Sequence, residues 1–335
     1  MPRSLVLLVM LFSVHNVVAQ RVLHFTKTSG FDHETREVSF SMFTSIGAEV
    51  GAEVIDDADG SSFNELATLA EFDVVVFANT SGNAILDDQQ RSNFETWIAQ
   101  GGHLMGIHAA TDTYRHSTAN GGDTGVWDFY ASTIGGSVQS DPHHVSGTPS
   151  FALHKLGTNP STANLPDPWQ KEEEYYYWEN GYLHPDIVPV LEVEQTIGPN
   201  GIVNSYDAPR PMSWYRTTAM NRIFYTALGH AQNNYTSDPL FRSHVKDALI
   251  WLLNDETSIE IPGGSVVNPS FDPIGGMINI VGLEDGRHTF DLFDLQGRLI
   301  QRSNCSGTVC GHKVTHPSGI YFLRGRELSF TIVIP

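Results

Sequence analysis

Cysteine and basic residues are both scarce in this sequence. The chain of 335 residues has two cysteines, Cys305 and Cys310, both in its last tenth. This placement excludes a disulfide-rich scaffold, a cysteine zinc ribbon and a cysteine nucleophile in the rest of the chain. Lys plus Arg number 19 against 38 for Asp plus Glu, which gives a formal charge of −19. Because this excess of acid repels phosphate groups, we expect neither nucleic acid nor anionic lipid surfaces as partners.

Long apolar runs are missing as well. The run at 5–14 is too short to span a bilayer, and no stretch of about 18 apolar residues follows, so no membrane span is expected. Arg3 precedes this run, and Val17 and Ala19 sit at −3 and −1 of a cleavage point before Gln20. We therefore expect residues 1–19 to be a secretory signal peptide and the protein to be secreted or held at the cell surface, with a buried N-terminal element as the alternative.

Residues 20–254 alternate apolar runs with amphipathic segments. The expected strands are 21–25, 53–55, 73–78, 103–110 and 222–228, and the expected helices are 33–51, 87–100 and 239–253. Strands separated by helices predict an α/β fold, a three-layer, doubly wound and mostly parallel sheet. The aromatic and proline-rich segment 135–216 predicts strands and long loops added at one edge of that sheet.

The sequence pattern changes after residue 254. Residues 255–267 contain proline, glycine and serine and predict a linker. Short alternating strands are expected at 277–281, 288–294, 298–301 and 320–323. Residues 268–335 are therefore expected to form a separate small β-sandwich.

The tail carries a first resemblance. NPS at 268–270, FDLQGR at 293–298 and PSGIYFL at 317–323 resemble the C-terminal sorting domain of type IX secretion in Bacteroidetes, although the last strand lacks the usual lysines. This resemblance implies recognition by the secretion machinery, cleavage of the tail, and release or surface anchoring. An appended carbohydrate-binding module is the alternative. Cys305 and Cys310 fall in a predicted hairpin loop, where they could pair after export or stay free.

The segment GGHLMGIHAA at 101–110 is the strongest local motif. A strand that ends in small–x–His–x–small is similar to the elbow that lifts a nucleophile above the sheet in α/β hydrolases and glutamine amidotransferases. His108 takes the central position, at the sheet edge where open α/β folds bind ligands. A core histidine is the alternative. Asp112 either orients His108 or caps a helix.

Other candidate residues follow predicted strands or lie in the inserted segment. His33 ends the polar loop after the first strand, His143 lies in DPHH at 141–144, and His230 follows the last strand. The run EEEYYYW at 172–178 places carboxylates beside aromatic rings, a combination typical of sugar sites. It supplies Glu173, Glu174, Tyr175 and Trp178, and PMSWYR at 211–216 supplies Trp214. The sequence has no H-E-x-x-H, P-loop or G-x-G-x-x-G motif.

Together these segments resemble the ThuA family, named for trehalose utilisation. The matching segments are FTKTSGFDH at 25–33, GGHLMGIHAATDTY at 101–114, WDFYASTIGG at 127–136, DPHH at 141–144, EEYYYW at 173–178, PMSWYR at 211–216 and RIFYTALGH at 222–230. The resemblance implies a flavodoxin-like fold similar to the class I glutamine amidotransferase domain, and a role in the metabolism of sugars, including oxidised (keto) disaccharides. The family lacks the amidotransferase cysteine, as does this chain. Arg210 departs from the family, many members of which carry histidine there.

The leading functional hypothesis is an exported carbohydrate-active hydrolase or lyase that acts on a glycoside or keto-sugar by general acid–base chemistry. His108 would exchange protons, with Glu173 or Glu174 as the partner carboxylate. His33 and His230 would contribute to catalysis or bind a metal. Asp112, His143, Tyr175, Trp178 and Trp214 would bind the substrate, a small molecule or oligosaccharide. A carbohydrate-binding protein without turnover is one alternative, and a hydrolase with Zn²⁺ held by histidines is another. An amidotransferase is not expected.

Overall fold

A computed structural model describes most of the chain. The described residues are 20–115, 127–218, 220–253, 268–272, 277–281, 283, 285–293, 298–313, 319–325 and 329–334. The predicted signal peptide at 1–19 and the predicted linker at 255–267 lie outside them. The chain divides into two compact units, of which the first contains Met1–Arg216 and Ile223–Trp251 and the second contains Thr217–Arg222 and Leu252–Pro335.

Eleven strands and six helices come before residue 254 in the described part of the chain. The strands are β1 (Gln20–Phe25), β2 (Ala52–Asp57), β3 (Val74–Ala78), β4 (His103–Ile107), β5 (Gly136–Val138), β6 (Ser150–Lys155), β7 (Trp169–Glu172), β8 (Trp178–Leu183), β9 (Val188–Val193), β10 (Arg210–Thr217) and β11 (Arg222–Thr226). The helices are α1 (Arg36–Val50), α2 (Leu66–Leu69), α3 (Asp88–Ala99), α4 (Asp128–Ile134), α5 (Gln232–Thr236) and α6 (Pro239–Leu253). No helix in this part is both long and apolar enough to cross a membrane.

A nine-stranded sheet forms the centre of the first unit. Its strand order is β2-β1-β3-β4-β11-β10-β9-β6-β7. The pairs β1–β2, β1–β3, β3–β4 and β4–β11 are parallel, as the alternation of strands and helices predicts. Because β2 lies on one side of β1 and β3 on the other, the strand order reverses at β1. Open α/β sheets bind ligands beyond the carboxyl ends of their strands at such a reversal.

The segment at 135–216 extends this sheet. β6 pairs antiparallel with β7 and β9, and β9 pairs antiparallel with β10. The predicted addition at one edge is therefore a set of antiparallel strands that continues the sheet. β5 and β8 form a separate antiparallel pair.

Local sequence explains the elements next to the site. All five residues of β3 are buried, as the run VVVFA predicts for a central strand. Asp87 and Gln90 form a capping box at the start of α3, with Gln90 N donating to Asp87 Oδ1 at 2.8 Å. Three predicted bounds next to the site are wrong. α1 begins at Arg36, which leaves His33 in the preceding loop, and β4 ends at Ile107, where a 3₁₀ turn begins. β11 ends at Thr226, two residues before the predicted end.

The second unit contains two small sheets. Its strands are β12 (Asn268–Asp272), β13 (Met277–Val281), β14 (Arg287–Phe293), β15 (Leu299–Ser306), β16 (Val309–Lys313), β17 (Gly319–Arg324) and β18 (Ser329–Ile334). The sheet orders are β12-β13-β16 and β15-β14-β17-β18. Ile278, Phe290 and Leu323 belong to one apolar cluster that both sheets supply. A β-sandwich remains a prediction. Cys305 and Cys310 form a disulfide, but they lie within β15 and β16 and not in a loop.

Candidate functional site

The candidate site lies at the carboxyl edge of the parallel strands. His33 follows β1, His108 follows β4, and His230 follows β11, so the topology alone brings three histidines to one edge of the sheet. Glu174 reaches the same place from the segment between β7 and β8.

His108 occupies a strained turn. Its φ of +46° lies in the left-handed region, which a residue with a side chain rarely adopts. Gly106 lets the neighbouring side chains pack closely against the end of β4, because a Cβ there would lie 2.5 Å from Ile134 Cδ1 and 3.2 Å from Ala110 Cβ. The side chain is fully buried, and its Nδ1 lies 2.7 Å from the carbonyl oxygen of Ala227. Since only a protonated Nδ1 can donate to that oxygen, Nε2 carries a lone pair when the ring is neutral.

Four side chains converge at this position. One ligand atom from each of His33, His108, Glu174 and His230 lies within 4.8 Å of all the others. Glu174 Oε2 is 3.2 Å from His108 Nε2 and 3.4 Å from His230 Nδ1, and these two nitrogens are 3.3 Å apart. We refer to these four residues as the histidine–glutamate cluster.

The electrostatics of the cluster require a positive charge. Burial raises the pKa of Glu174, but hydrogen bonds from His108 and His230 outweigh it and hold that pKa well below its usual range. Burial, together with the neighbouring imidazoles of His108 and His230, lowers the pKa of His33 to about 3, so His33 is neutral at pH 7. His33 Nδ1 is buried and has no hydrogen-bond partner among the described residues. The imidazole nitrogens that surround the Glu174 carboxylate therefore need either protons or a bound cation to offset its negative charge.

Glu173 and Glu174 have different surroundings although they are adjacent. Glu173 is buried, and its carboxylate accepts hydrogen bonds from Gly229 N at 2.9 Å and His230 N at 3.2 Å. Lys171 Nζ lies 3.7 Å from the same carboxylate. The Glu173 oxygens thus bind the backbone that carries His230. We expected that either Glu173 or Glu174 would face the ligand, and in the structure it is Glu174 that belongs to the cluster.

His144 holds the outer oxygen of Glu174. Its Nε2 lies 3.1 Å from Glu174 Oε1, which leaves Oε2 facing the cluster. On the other side, the ring of Tyr176 stacks on His108 at a centroid distance of 4.6 Å, and its hydroxyl lies 3.0 Å from His108 Nε2. Arg210 is buried and donates through Nε to the Tyr176 carbonyl at 2.7 Å.

Asn79 links three of the loops that carry the cluster. Its amide nitrogen lies 2.9 Å from Thr35 Oγ1, 3.0 Å from Gly229 O and 3.0 Å from Tyr235 OH. Its amide oxygen accepts a hydrogen bond from Ala109 N at 3.3 Å. Asn79 therefore fixes the segments next to His33, His108 and His230 relative to one another.

Two predicted substrate-binding residues lie on the rim of the site. Asp112 Oδ1 is 3.4 Å from Arg115 Nε, and Arg115 Nη1 is 3.1 Å from His143 Nε2. Burial raises the pKa of Asp112, against the opposing charges of Arg115, His143 and His108. We call Asp112, Arg115 and His143 the polar rim.

The other predicted substrate-binding residues lie in the core. Tyr175, Trp178 and Trp214 are each at most 4% exposed. Their polar atoms bind backbone carbonyls, those of Lys171, Pro211 and Ile134 respectively. Because the rings have almost no exposed surface, they offer no face to a sugar in this conformation, and the predicted stacking role does not fit them.

Five residues of the site were missed by reasoning from the sequence, one of which is Arg115 of the polar rim. Asn79 is the first residue of the polar run NTSG that follows β3, and Tyr176 is the middle one of three consecutive tyrosines, so no spacing signal marks either residue. His144 was seen only as a neighbour of His143. Phe31, an exposed ring beside His33, was read only as part of a polar loop. Its apolar character between Gly30 and Asp32 was the available signal.

The fold and the site together define an α/β protein with a histidine–carboxylate centre at the switch point of its sheet. The profile of the ThuA family, described as trehalose utilisation, matches residues 21–252, and the chain belongs to this family. No curated protein matches the chain.

Solved structures share this fold, among them two ThuA-like proteins. A ThuA-like protein of Bacteroides uniformis aligns with a TM-score of 0.58 and 18% identity, over 72% of this chain and 95% of that one. A ThuA-like protein of Parabacteroides merdae aligns with a TM-score of 0.52 and 12% identity, over 70% of this chain and 91% of that one. At these identities the likeness concerns the fold alone.

Proposed function

We propose that this ThuA-family protein is a carbohydrate hydrolase that works with a divalent metal ion bound by the histidine–glutamate cluster. The observation that carries the proposal is the convergence of four ligand atoms within 4.8 Å of one another. The description of the family supports the class of substrate.

The donor set fits a zinc-type ion. Imidazole nitrogens and one carboxylate oxygen are ligands that Zn²⁺ and neighbouring transition metals accept. When the His108 ring is neutral, its Nε2 and Glu174 Oε2 present lone pairs to each other across 3.2 Å, and a cation between them would remove that repulsion. The Ala227 carbonyl at His108 Nδ1 and the His144 ring at Glu174 Oε1 are outer contacts of the kind that orient metal ligands.

The site leaves room for chemistry as well as for binding. His33, Glu174 and His230 are partly exposed, whereas His108 is buried, so one side of a bound ion would face solvent and substrate. A metal in such a site lowers the pKa of bound water and supplies hydroxide near neutral pH. The Tyr176 hydroxyl lies 3.0 Å from His108 Nε2, where it could donate a hydrogen bond to a water or hydroxide bound by an ion in the cluster.

Metal titration tests the proposal. The chelator-treated protein should bind one equivalent of Zn²⁺ by calorimetry, whereas His108→Ala and Glu174→Gln should lose most of this affinity. His154→Ala is a matched control, because His154 is a half-exposed histidine 3.6 Å from Asp167. Turnover of trehalose, related disaccharides and their 3-keto forms should disappear on chelation and return with the metal. Equal zinc binding by the wild-type protein and both cluster variants would contradict the proposal.

A metal-free acid–base enzyme is the second candidate. The direct contact of 3.2 Å between His108 Nε2 and Glu174 Oε2 favours it, since a carboxylate can hold a protonated imidazole as a general acid. In this case, chelation would leave turnover unchanged. His108→Ala and His108→Gln would each lower turnover by roughly two to four orders of magnitude.

We also propose that the protein is exported and that residues 268–335 direct the final step. The motif at 1–19 and the three tail segments at 268–270, 293–298 and 317–323 support this. In the native host, a protein truncated after residue 267 should stay behind in the periplasm. Normal secretion of the truncated protein would rule out a sorting role.

A further inference from the structure

The most exposed large apolar side chain lies beside the cluster. Phe31 is 67% exposed, more than any other large hydrophobic residue in the described part of the chain. Its ring contacts the ring of His33 edge-to-face at a centroid distance of 4.8 Å. The ring of His33 in turn lies 4.8 Å from that of His108. Phe31 thus places an open aromatic face next to the proposed reaction centre.

The backbone holds Phe31 in this position. Ser81 Oγ donates to the Phe31 carbonyl at 2.6 Å, and Ser29 N and Gly30 N donate to the Ser81 carbonyl at 2.8 and 3.2 Å. A Cβ on Gly30 would lie 3.1 Å from Gly82 N, so the two loops approach each other closely. These hydrogen bonds therefore fix the backbone that carries the ring.

The polar rim is connected to the same pair of loops. Gly82 N donates to the Asp112 carbonyl at 3.2 Å, and Tyr114 N donates to the Gly82 carbonyl at 3.3 Å. The side chains of Asp112 and Arg115 are 28% and 29% exposed, so both are accessible to solvent. The loop at Ser81 and Gly82 thus lies between an apolar ring and a paired carboxylate and guanidinium.

We propose that Phe31 and the polar rim form the sugar subsite of this protein. The inference rests on the proposed function. A pyranose ring has an apolar C–H face and an equatorial edge of hydroxyl groups. Phe31 binds the face, and Asp112, Arg115 and His143 bind the hydroxyls, which places the adjacent glycosidic or oxidised carbon over the histidine–glutamate cluster. This assigns stacking to Phe31, since Trp178 and Trp214 are buried.

Sugar binding by single variants tests the subsite. The zinc-loaded protein is titrated with trehalose and with its 3-keto form by calorimetry. Phe31→Ala should weaken binding about tenfold, and Phe31→Trp should retain it, because stacking needs an aromatic face. Asp112→Asn should weaken binding by a similar factor. Ile202→Ala is the control, since Ile202 is 60% exposed and its hydrogen bonds stay within the β9–β10 connection.

The outcomes separate the subsite from the metal centre. All four variants should keep the zinc content of the wild-type protein, because none of them changes a residue of the cluster. Equal affinities for Phe31→Ala and wild type would overturn the assignment of Phe31 while leaving the metal proposal intact. If the zinc-loaded wild-type protein bound neither sugar, the assignment of the subsite to sugars would be overturned. Loss of zinc binding in the cluster variants remains the separate test of the metal centre.

Discussion

Replacement of Asn79 by alanine should weaken both the fold and the site. Asn79 is 3% exposed, and its amide makes contacts with Thr35, Ala109, Gly229 and Tyr235. An amide has two N–H donors and an acceptor oxygen, so it satisfies about three hydrogen bonds here. At about 1 kcal/mol for each, the variant should lose about 3 kcal/mol of unfolding free energy.

The effect on metal binding follows from the same contacts. The segments next to His33, His108 and His230 lose their common anchor in Asn79→Ala. Outer contacts of this kind change metal affinity by roughly 10- to 100-fold, so zinc affinity should fall within that range. Urea unfolding followed by tryptophan fluorescence measures the first unit alone, because all six tryptophans lie between Trp97 and Trp251.

Asn93→Ala is the matched control. Asn93 is 9% exposed, its amide nitrogen lies 2.9 Å from Phe63 O and 3.0 Å from Asn64 O, and its amide oxygen accepts a hydrogen bond from Gln89 Nε2 at 3.1 Å. This variant should lose about 3 kcal/mol of unfolding free energy by the same reasoning, but it should bind zinc like the wild-type protein. If Asn79→Ala also bound zinc like the wild type at a temperature where it is folded, the role of Asn79 in positioning the cluster would be refuted.

Three further predictions concern stability and turnover. Burial lowers the pKa of His244 from 6.5 to about 4, so the folded protein favours the neutral ring. The stability that this neutral ring contributes to the fold is fully present above pH 6.5 and is lost as the pH falls towards 4. The unfolding free energy should drop by about 3 kcal/mol more between pH 7 and pH 4 in the wild type than in His244→Gln, measured by urea unfolding. Gly229→Ala places a Cβ 2.8 Å from Tyr235 OH at a φ of +110°, so it should lower the melting temperature and the zinc affinity together. Tyr176→Phe keeps the ring stacked on His108 but removes the hydroxyl 3.0 Å from Nε2, so turnover should fall about tenfold or more while zinc content is unchanged.

The order of helices and strands in the first unit was predictable, because the spacing of apolar residues and the residues that typically begin or end helices indicate the same elements there. The helix predicted at 239–253 is Pro239–Leu253, and the run at 73–78 contains β3. In a parallel sheet, residues that follow successive strands meet at one edge. The approach of His33, His108 and His230 could therefore be expected from order alone.

The aromatic residues show where sequence reasoning stops. Tyr175, Tyr176 and Trp178 are close neighbours, yet only Tyr176 contacts His108. Aromatic rings suit both a sugar site and a core, so composition does not decide between them. The same limit applies to Glu173 and Glu174, because only the path of the chain after β7 determines which carboxylate faces the cluster. Phe31 and Asn79 depend on contacts with segments far away in sequence, which no local pattern encodes.

The most direct test of the metal centre is anomalous diffraction from a crystal of the zinc-soaked protein, recorded at the zinc absorption edge. We predict one strong peak about 2.0–2.2 Å from the ligand atoms of at least three of the four residues His33, His108, Glu174 and His230, which leaves a position for water. In a crystal of Glu174→Gln soaked in the same way, the peak should be weak or absent. A wild-type crystal with full zinc occupancy elsewhere and none within the histidine–glutamate cluster would contradict the assignment of these four residues as a metal centre.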